Sequence, residues 1–188
     1  MTKEQAIALI APAAVASERT TGLPAEITAA QCALESGWLK HAPGDNCFGI
    51  KYNPARHTGK QLLRTREYFD TADHATSWMG RQNGRDIIEA TGKVVNGKAE
   101  FVVRDWFAAY NTLADCFADH ARLITNGKPY RGPWQEFLVH RSWLKLLQGI
   151  GPIYATAPDY ATRVQVVLEG ELQSAIDAAR VAAVPTAR

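Results

Sequence analysis

Lys93-Val94-Val95-Asn96-Gly97-Lys98-Ala99-Glu100-Phe101-Val102-Val103 is the stretch on which the fold class turns. Asn-Gly accepts the left-handed backbone of a tight two-residue turn, and here it stands between β-branched runs, so a β-hairpin is predicted. Upstream, Gln61 to Phe69 reads as a further strand. Between these pieces, 73–92 is the least legible segment, and Ser77 to Ala90 is expected to hold a short helix or two. The flanks read as helices. Thr2 and Gln5 make a capping-box pattern at the head of a helix over 3–19, kinked near Pro12. Pro24 suits the first turn of a second helix reaching about Ser36. A Gly- and Pro-rich loop then runs from Gly37 to about Lys60.

Beyond the β region, Thr112 caps a helix to about Thr125, with Ala114, Phe117, Ala118 and Ala121 at helical spacing. Pro133 starts another to about Gln148. After a break at Gly149-Ile150-Gly151-Pro152, a final helix runs from about Pro158 to Val181. The tail loosens from Ala178 and is expected to fray over 182–188. Helices, a small β region, then helices again give an α+β architecture. It is expected as one domain over 1–188, with a β lobe at about 60–107 flanking a cleft in a mainly helical body.

A chain of 188 residues is one domain by size. Apolar residues at 46% and charged residues at 21% exclude disordered and fibrous classes. The longest apolar run, Ala6 to Ala16, is too short to span a bilayer, so no integral membrane segment is expected. A net charge of +2 carries no electrostatic footprint for nucleic acid. Cys32, Cys47 and Cys116 are too few for a disulfide framework, and Cys32 and Cys116 read as small buried hydrophobes. The apolar start ending Ala14-Val15-Ala16 resembles a signal peptide only superficially, because Glu4 cancels Lys3 and Pro12 interrupts the run.

Glu35 is the most informative residue. Ile27, Gln31, Leu34 and Glu35 fall at i, i+4, i+7 and i+8, which places the carboxylate on a mainly apolar, inward stripe near a helix C-terminus. Burial and the helix dipole would both raise its pKa, as a general acid near neutral pH requires. Periodicity equally allows a carboxylate at the stripe's edge that reaches water. Glycoside hydrolysis needs a second carboxylate. Glu67, in Arg64-Thr65-Arg66-Glu67-Tyr68, lies on the predicted strand, with Asp70 and Asp73 as competitors; alone, it reads equally as a solvated residue paired with an arginine.

Ala30-Gln31-Cys32-Ala33-Leu34-Glu35-Ser36-Gly37-Trp38, then Asn46-Cys47-Phe48-Gly49-Ile50-Lys51, resemble the glucosaminidase family of peptidoglycan hydrolases, glycoside hydrolase family 73, which includes the flagellar muralytic domain. The likeness continues through Thr65-Arg66-Glu67-Tyr68, Phe107-Ala108-Ala109-Tyr110 and Tyr154-Ala155-Thr156-Ala157-Pro158-Asp159-Tyr160. It covers roughly residues 5–170, in order. The resemblance implies a lysozyme-like fold cleaving N-acetylglucosaminyl linkages of the cell-wall glycan, without a cofactor. The family's acid falls on Glu35, its second carboxylate on Glu67 and its cleft tyrosine on Tyr154. Trp38, Asn46, Phe48, Gly49, Tyr110 and Tyr160 sit in the matching motifs as candidate substrate contacts. The sequence departs from the family at Cys47, where an apolar residue is usual, and in the longer segment 73–92.

Three rivals stand beside this reading. Cys116 and His120, at i and i+4, are the pair a cysteine peptidase or amidase would need. A glycan-binding module could keep the fold without catalysis. Muramidase specificity would use the same carboxylates on the neighbouring bond. No metal is expected, since His41, His57, His74, His120 and His140 show no paired-ligand spacing. The expected partner is the peptidoglycan strand. A protein made in the cytoplasm and acting on the wall, in the periplasm or outside, would need a holin or a secretion apparatus, as a phage endolysin or a secreted lytic effector does.

Overall fold

The computed structural model describes residues 1–81, 83–155 and 157–183. In chain order the elements are α1 (Lys3–Thr21), α2 (Ala25–Glu35), β1 (Gly59–Phe69), α3 (Ala72–Met79), β2 (Asp86–Val95), β3 (Lys98–Ala109), α4 (Leu113–Asn126), α5 (Arg131–His140), α6 (Trp143–Tyr154), α7 (Tyr160–Leu168) and α8 (Glu171–Ala182). They fall into two compact units: a helical one, Met1–Phe48 with the chain from Asn111 onward, and a β unit, Gly49–Tyr110.

In the helical unit, the predicted capping box starts α1: Thr2 accepts the Gln5 N–H, and the Thr2 N–H donates to Gln5 Oε1 at 2.8 Å. The helix continues through Pro12 to Gly22, whose φ of +77° lets its N–H turn back to the Glu18 carbonyl at 2.8 Å. Ala6, Ile10 and Ala14 are buried in contact with α2, α4 and α8. The next helix, α2, is central, with every residue from Ala25 to Ala33 buried. Its Glu26, 6% exposed, is answered bidentately by Arg180 at 2.6 and 2.7 Å, and the same guanidinium holds Glu18. That anchor corrects the expected loosening from Ala178, because α8 stays helical to Ala182 with Leu172 and Ile176 buried. The rest of the expected frayed tail, 184–188, lies outside the described residues, as does Thr156.

Helix breaks depart from expectation in three places. Arg141 turns left-handed at φ +55° and Ser142 caps a new start, so one predicted helix becomes α5 and α6. Gly149 and Gly151 lie inside α6 rather than ending it. A Cβ on Gly149 would stand 2.9 Å from the Pro133 Cβ, and one on Gly151 3.4 Å from that of Ala161, so these glycines permit close packing. Gly170, at φ +84°, divides the predicted last helix into α7 and α8.

The β unit is a three-stranded antiparallel sheet in the order β1-β3-β2. Asn96 (φ +51°) and Gly97 (φ +79°) form the predicted hairpin turn, with Val95 opposite Lys98. Segment 73–92 is helical only as far as Met79. Strand β2 begins at Asp86, correcting the expected helix toward Ala90: Ile87 pairs with Val103 of the central strand, and a bulge between Ala90 and Val94 obscures the alternation. Phe69, Ala75, Trp78 and Val103 form this unit's small core.

Candidate active site

Glu35 is the last residue of α2. Ser36 ends the helix by donating its hydroxyl to the Cys32 carbonyl at 2.6 Å and accepting the Leu39 N–H at 2.8 Å. Gly37, Trp38 and Leu39 then all turn left-handed. Ile27 and Gln31 are fully buried, but the stripe emerges over the last turn, where Leu34 is half-buried and Glu35 exposed. Of the two positions that the spacing left open, the carboxylate takes the one at the stripe's edge and opens to solvent at the helix end.

One of its oxygens is tied back. The Tyr160 hydroxyl, on the first residue of α7, donates to Glu35 Oε1 at 2.7 Å. That hydroxyl accepts from Gln31 Nε2 at 2.9 Å, and Gln31 Oε1 lies 3.1 Å from His120 Nε2 of α4. Tyr154 stacks on Tyr160 with centroids 5.6 Å apart and meets His120 edge-on at 6.1 Å. Burial, and then the neighbouring Tyr160 and Glu35, push the Tyr154 phenol well above its ordinary range; burial and then Glu35 do the same for Tyr160. Both phenols keep their protons. The Tyr154 hydroxyl and Glu35 Oε2 have no hydrogen-bond partner among the described residues.

In the β unit, the alternation of β1 sets half-buried Glu67 on one face with Leu63, Thr65 and Phe69, opposite Phe101. Its partner is Lys51 rather than an arginine. Lys51 also donates to Asp105 at 2.6 Å and lies over the Phe107 ring. Asp105, 1% exposed, accepts from Arg85 Nε at 2.6 Å and the Trp106 N–H at 2.7 Å, a fully bonded buried anion. Asp70 is exposed and pairs with Lys98 and His74, and Asp73 is an exposed first-turn residue of α3, so neither shares this network.

The glucosaminidase profile, described as mannosyl-glycoprotein endo-beta-N-acetylglucosaminidase, matches residues 11–171. The chain belongs to the glucosaminidase family. The exo-glucosaminidase LytG of Bacillus subtilis is 28% identical over 76% of this chain and 42% of LytG. The peptidoglycan hydrolase FlgJ of Salmonella typhimurium is 26% identical over 84% of the chain and 42% of FlgJ. The chain thus spans about two fifths of these relatives. Among solved structures, the catalytic domain of the Listeria monocytogenes autolysin Auto superposes with a TM-score of 0.61 at 21% identity, covering 95% of this chain and 86% of that one. A truncated FlgJ glycoside hydrolase domain from Salmonella typhimurium gives 0.59 at 21%, covering 92% and 97%. The fold is that of lysozyme-like glucosaminidase domains.

Several motif residues of this chain have packing partners of their own. Phe48 is buried, stacked on the His120 ring at 3.9 Å and tilted against Phe117. Tyr160 is 3% exposed, with its hydroxyl engaged by Gln31 and Glu35. Asn46 is buried and closes the turn Pro43–Asp45, its N–H reaching the Pro43 carbonyl. Half-buried Trp38 lies under the Lys3 ammonium, 5.1 Å from the ring centroid. Gly49 is exposed at φ +62°, and Tyr110 meets His57 edge-on.

The cysteine rival fails on geometry. His120 turns to Gln31 and Phe48, while Cys116 meets Cys47. The contact with Cys47, then burial, pushes the Cys116 thiol far up, so the thiolate a peptidase needs does not form. Cys32 joins the same buried cluster, and all three thiols are free. Among the described residues no group of three His, Cys, Asp or Glu side chains is placed to hold a metal, and no helix is long and apolar enough to cross a membrane. Sequence reading passed over Gln31, His120 and Lys51 as site residues. The one available signal was Gln31, a helical turn before Glu35 on the same face.

Proposed function

We propose that this chain hydrolyses the glycan strand of peptidoglycan as an endo-β-N-acetylglucosaminidase. The observation that carries the reading is Glu35: a carboxylate held through one oxygen by Tyr160, on whose ring Tyr154 is stacked, in a glucosaminidase fold. Glu35 protonates the leaving glycosidic oxygen. Tyr154 orients the reacting sugar. Glu67 is the second carboxylate, activating water or stabilising the oxocarbenium-like state. The ion pair with Lys51 holds the Glu67 side chain in place. Loss of turnover in Glu67→Gln larger than tenfold points to water activation; a smaller loss points to attack by the substrate's own acetamido group.

The test is mass spectrometry of soluble products from purified sacculi after borohydride reduction, with wild type beside Glu35→Gln. Reduced glucosamine ends from the wild type, and nearly none from the folded variant, support the proposal. Reduced muramic ends move it to the muramidase bond. No new ends from either protein, with sacculi still bound, leave a glycan-binding module. Fragment length separates endo from exo cleavage.

We further propose that the protein is made in the cytoplasm and reaches the wall through a holin or a secretion apparatus, as an endolysin or lytic effector. Ala6, Ile10 and Ala14 are core residues, so α1 belongs to the folded body that would act on the wall. Lysis of expressing cells only when a membrane-permeabilising protein is co-expressed is the expected result.

A further inference from the structure

We propose that His120 and Gln31 are positioning residues for the reaction: with Tyr160 they form a one-way hydrogen-bond chain that fixes Glu35 Oε1 and leaves Oε2 as the oxygen that carries and delivers the proton. This rests on the assignment of Glu35 as the general acid. The direction follows from counting protons. Gln31 Nε2 has only protons to offer and lies 2.9 Å from the Tyr160 oxygen, so it donates there. Tyr160 owns a single hydroxyl proton, and its other neighbour is Glu35 Oε1 at 2.7 Å, so that proton goes to the carboxylate.

At the other end, Gln31 Oε1 can only accept, so the His120 nitrogen 3.1 Å away, Nε2, carries the ring's proton. Nδ1 is then the bare nitrogen, and it is buried without a hydrogen-bond partner among the described residues. A charged imidazolium would need a second acceptor there. Burial keeps the ring neutral, bringing it down to about 3, although Asp119 pulls the other way. Phe48, stacked at 3.9 Å, fixes the plane of the ring, and so which nitrogen faces Gln31. The other titratable groups against the chain, Tyr154, Tyr130 and Cys116, are neutral acids with raised values, so none supplies a competing charge.

A free carboxylate rotates and presents either oxygen. Here one oxygen is held and the other faces outward, so the proton-bearing atom has a fixed place before substrate arrives. Such pre-set geometry appears in kcat rather than in binding.

The experiment measures kcat and KM on solubilised glycan fragments, with thermal midpoints alongside. Tyr160→Phe removes the last donor. The double variant Gln31→Met/His120→Phe replaces both buried polar partners by apolar groups of similar shape, which preserves packing while cutting the chain. His120→Gln keeps an N–H where Nε2 stands. Tyr160→Phe and the double variant are expected to lose about 10- to 100-fold in kcat with KM within about twofold, and His120→Gln to stay within about threefold of wild type. A folded double variant with wild-type kcat overturns the proposal, as does a loss no larger than the fall in folded fraction. If the double variant fails to fold, Tyr160→Phe against His120→Gln decides: equal kcat values overturn it. A wild type that releases no ends, or a Glu35→Gln variant as active as wild type, instead defeats the assignment of Glu35 itself.

Discussion

Ser36 and the three left-handed residues behind it decide where the Glu35 carboxylate can go. By ending α2 abruptly they place it at a rim, with Gln31 one turn back in the core as its support. Neither effect is visible in helical periodicity, which locates a face but not the point at which a helix leaves the body. This is why spacing found Glu35 and left its burial open, and why motif matching named Phe48 and Tyr160 without showing their packing on His120 and Glu35. The same limit hid Lys51, whose role depends on Glu67 and Asp105, 16 and 54 positions away. Asp105 gives a test at this scale. Arg85 is one of its two cations, and Arg85→Met is expected to destabilise the β unit by about 3 kcal/mol, because a buried carboxylate loses a charged partner. Urea unfolding followed by tryptophan fluorescence reads this, with Trp78 and Trp106 in that unit and Trp38, Trp134 and Trp143, in the helical one, each replaced by Phe.

Among the elements, those readable in advance are the ones with local causes. The Thr2–Gln5 box, the Thr112 cap and Asn96-Gly97 each close hydrogen bonds or turns within a few residues. The breaks at Arg141 and Gly170 and the start of β2 are set by what the chain must meet elsewhere. Gly149 and Gly151 look like terminators in sequence and act as packing surfaces. Gly170 has open space around its Cβ direction, so a side chain there meets no atom and any cost is backbone strain alone. Gly170→Ala is expected to cost about 1–3 kcal/mol, whereas Gly132→Ala, equally open but at an ordinary φ inside α5, should be neutral or slightly stabilising. Thermal midpoints of the two variants make the comparison.

For the molecule as a whole, the buried imidazole makes stability depend on acidity. Burial brings His120 from an ordinary 6.5 to about 3. Below pH 6.5 the unfolded chain takes up a proton that the folded chain refuses until about pH 3, so stability declines through that window, by up to about 1.4 kcal/mol per pH unit. Above it the residue contributes no slope. Urea midpoints at pH 7 and 4.5 should fall less for His120→Gln than for wild type; equal falls would place the dependence on other groups. The three cysteines offer a different view of the same body. Cys32, Cys47 and Cys116 come from α2, the loop after it and α4, and none shows its sulfur to solvent. A maleimide dye therefore reacts only when the packing around Glu35 breathes, so the labelling rate is a clock for that opening, and a saccharide that binds there will slow it.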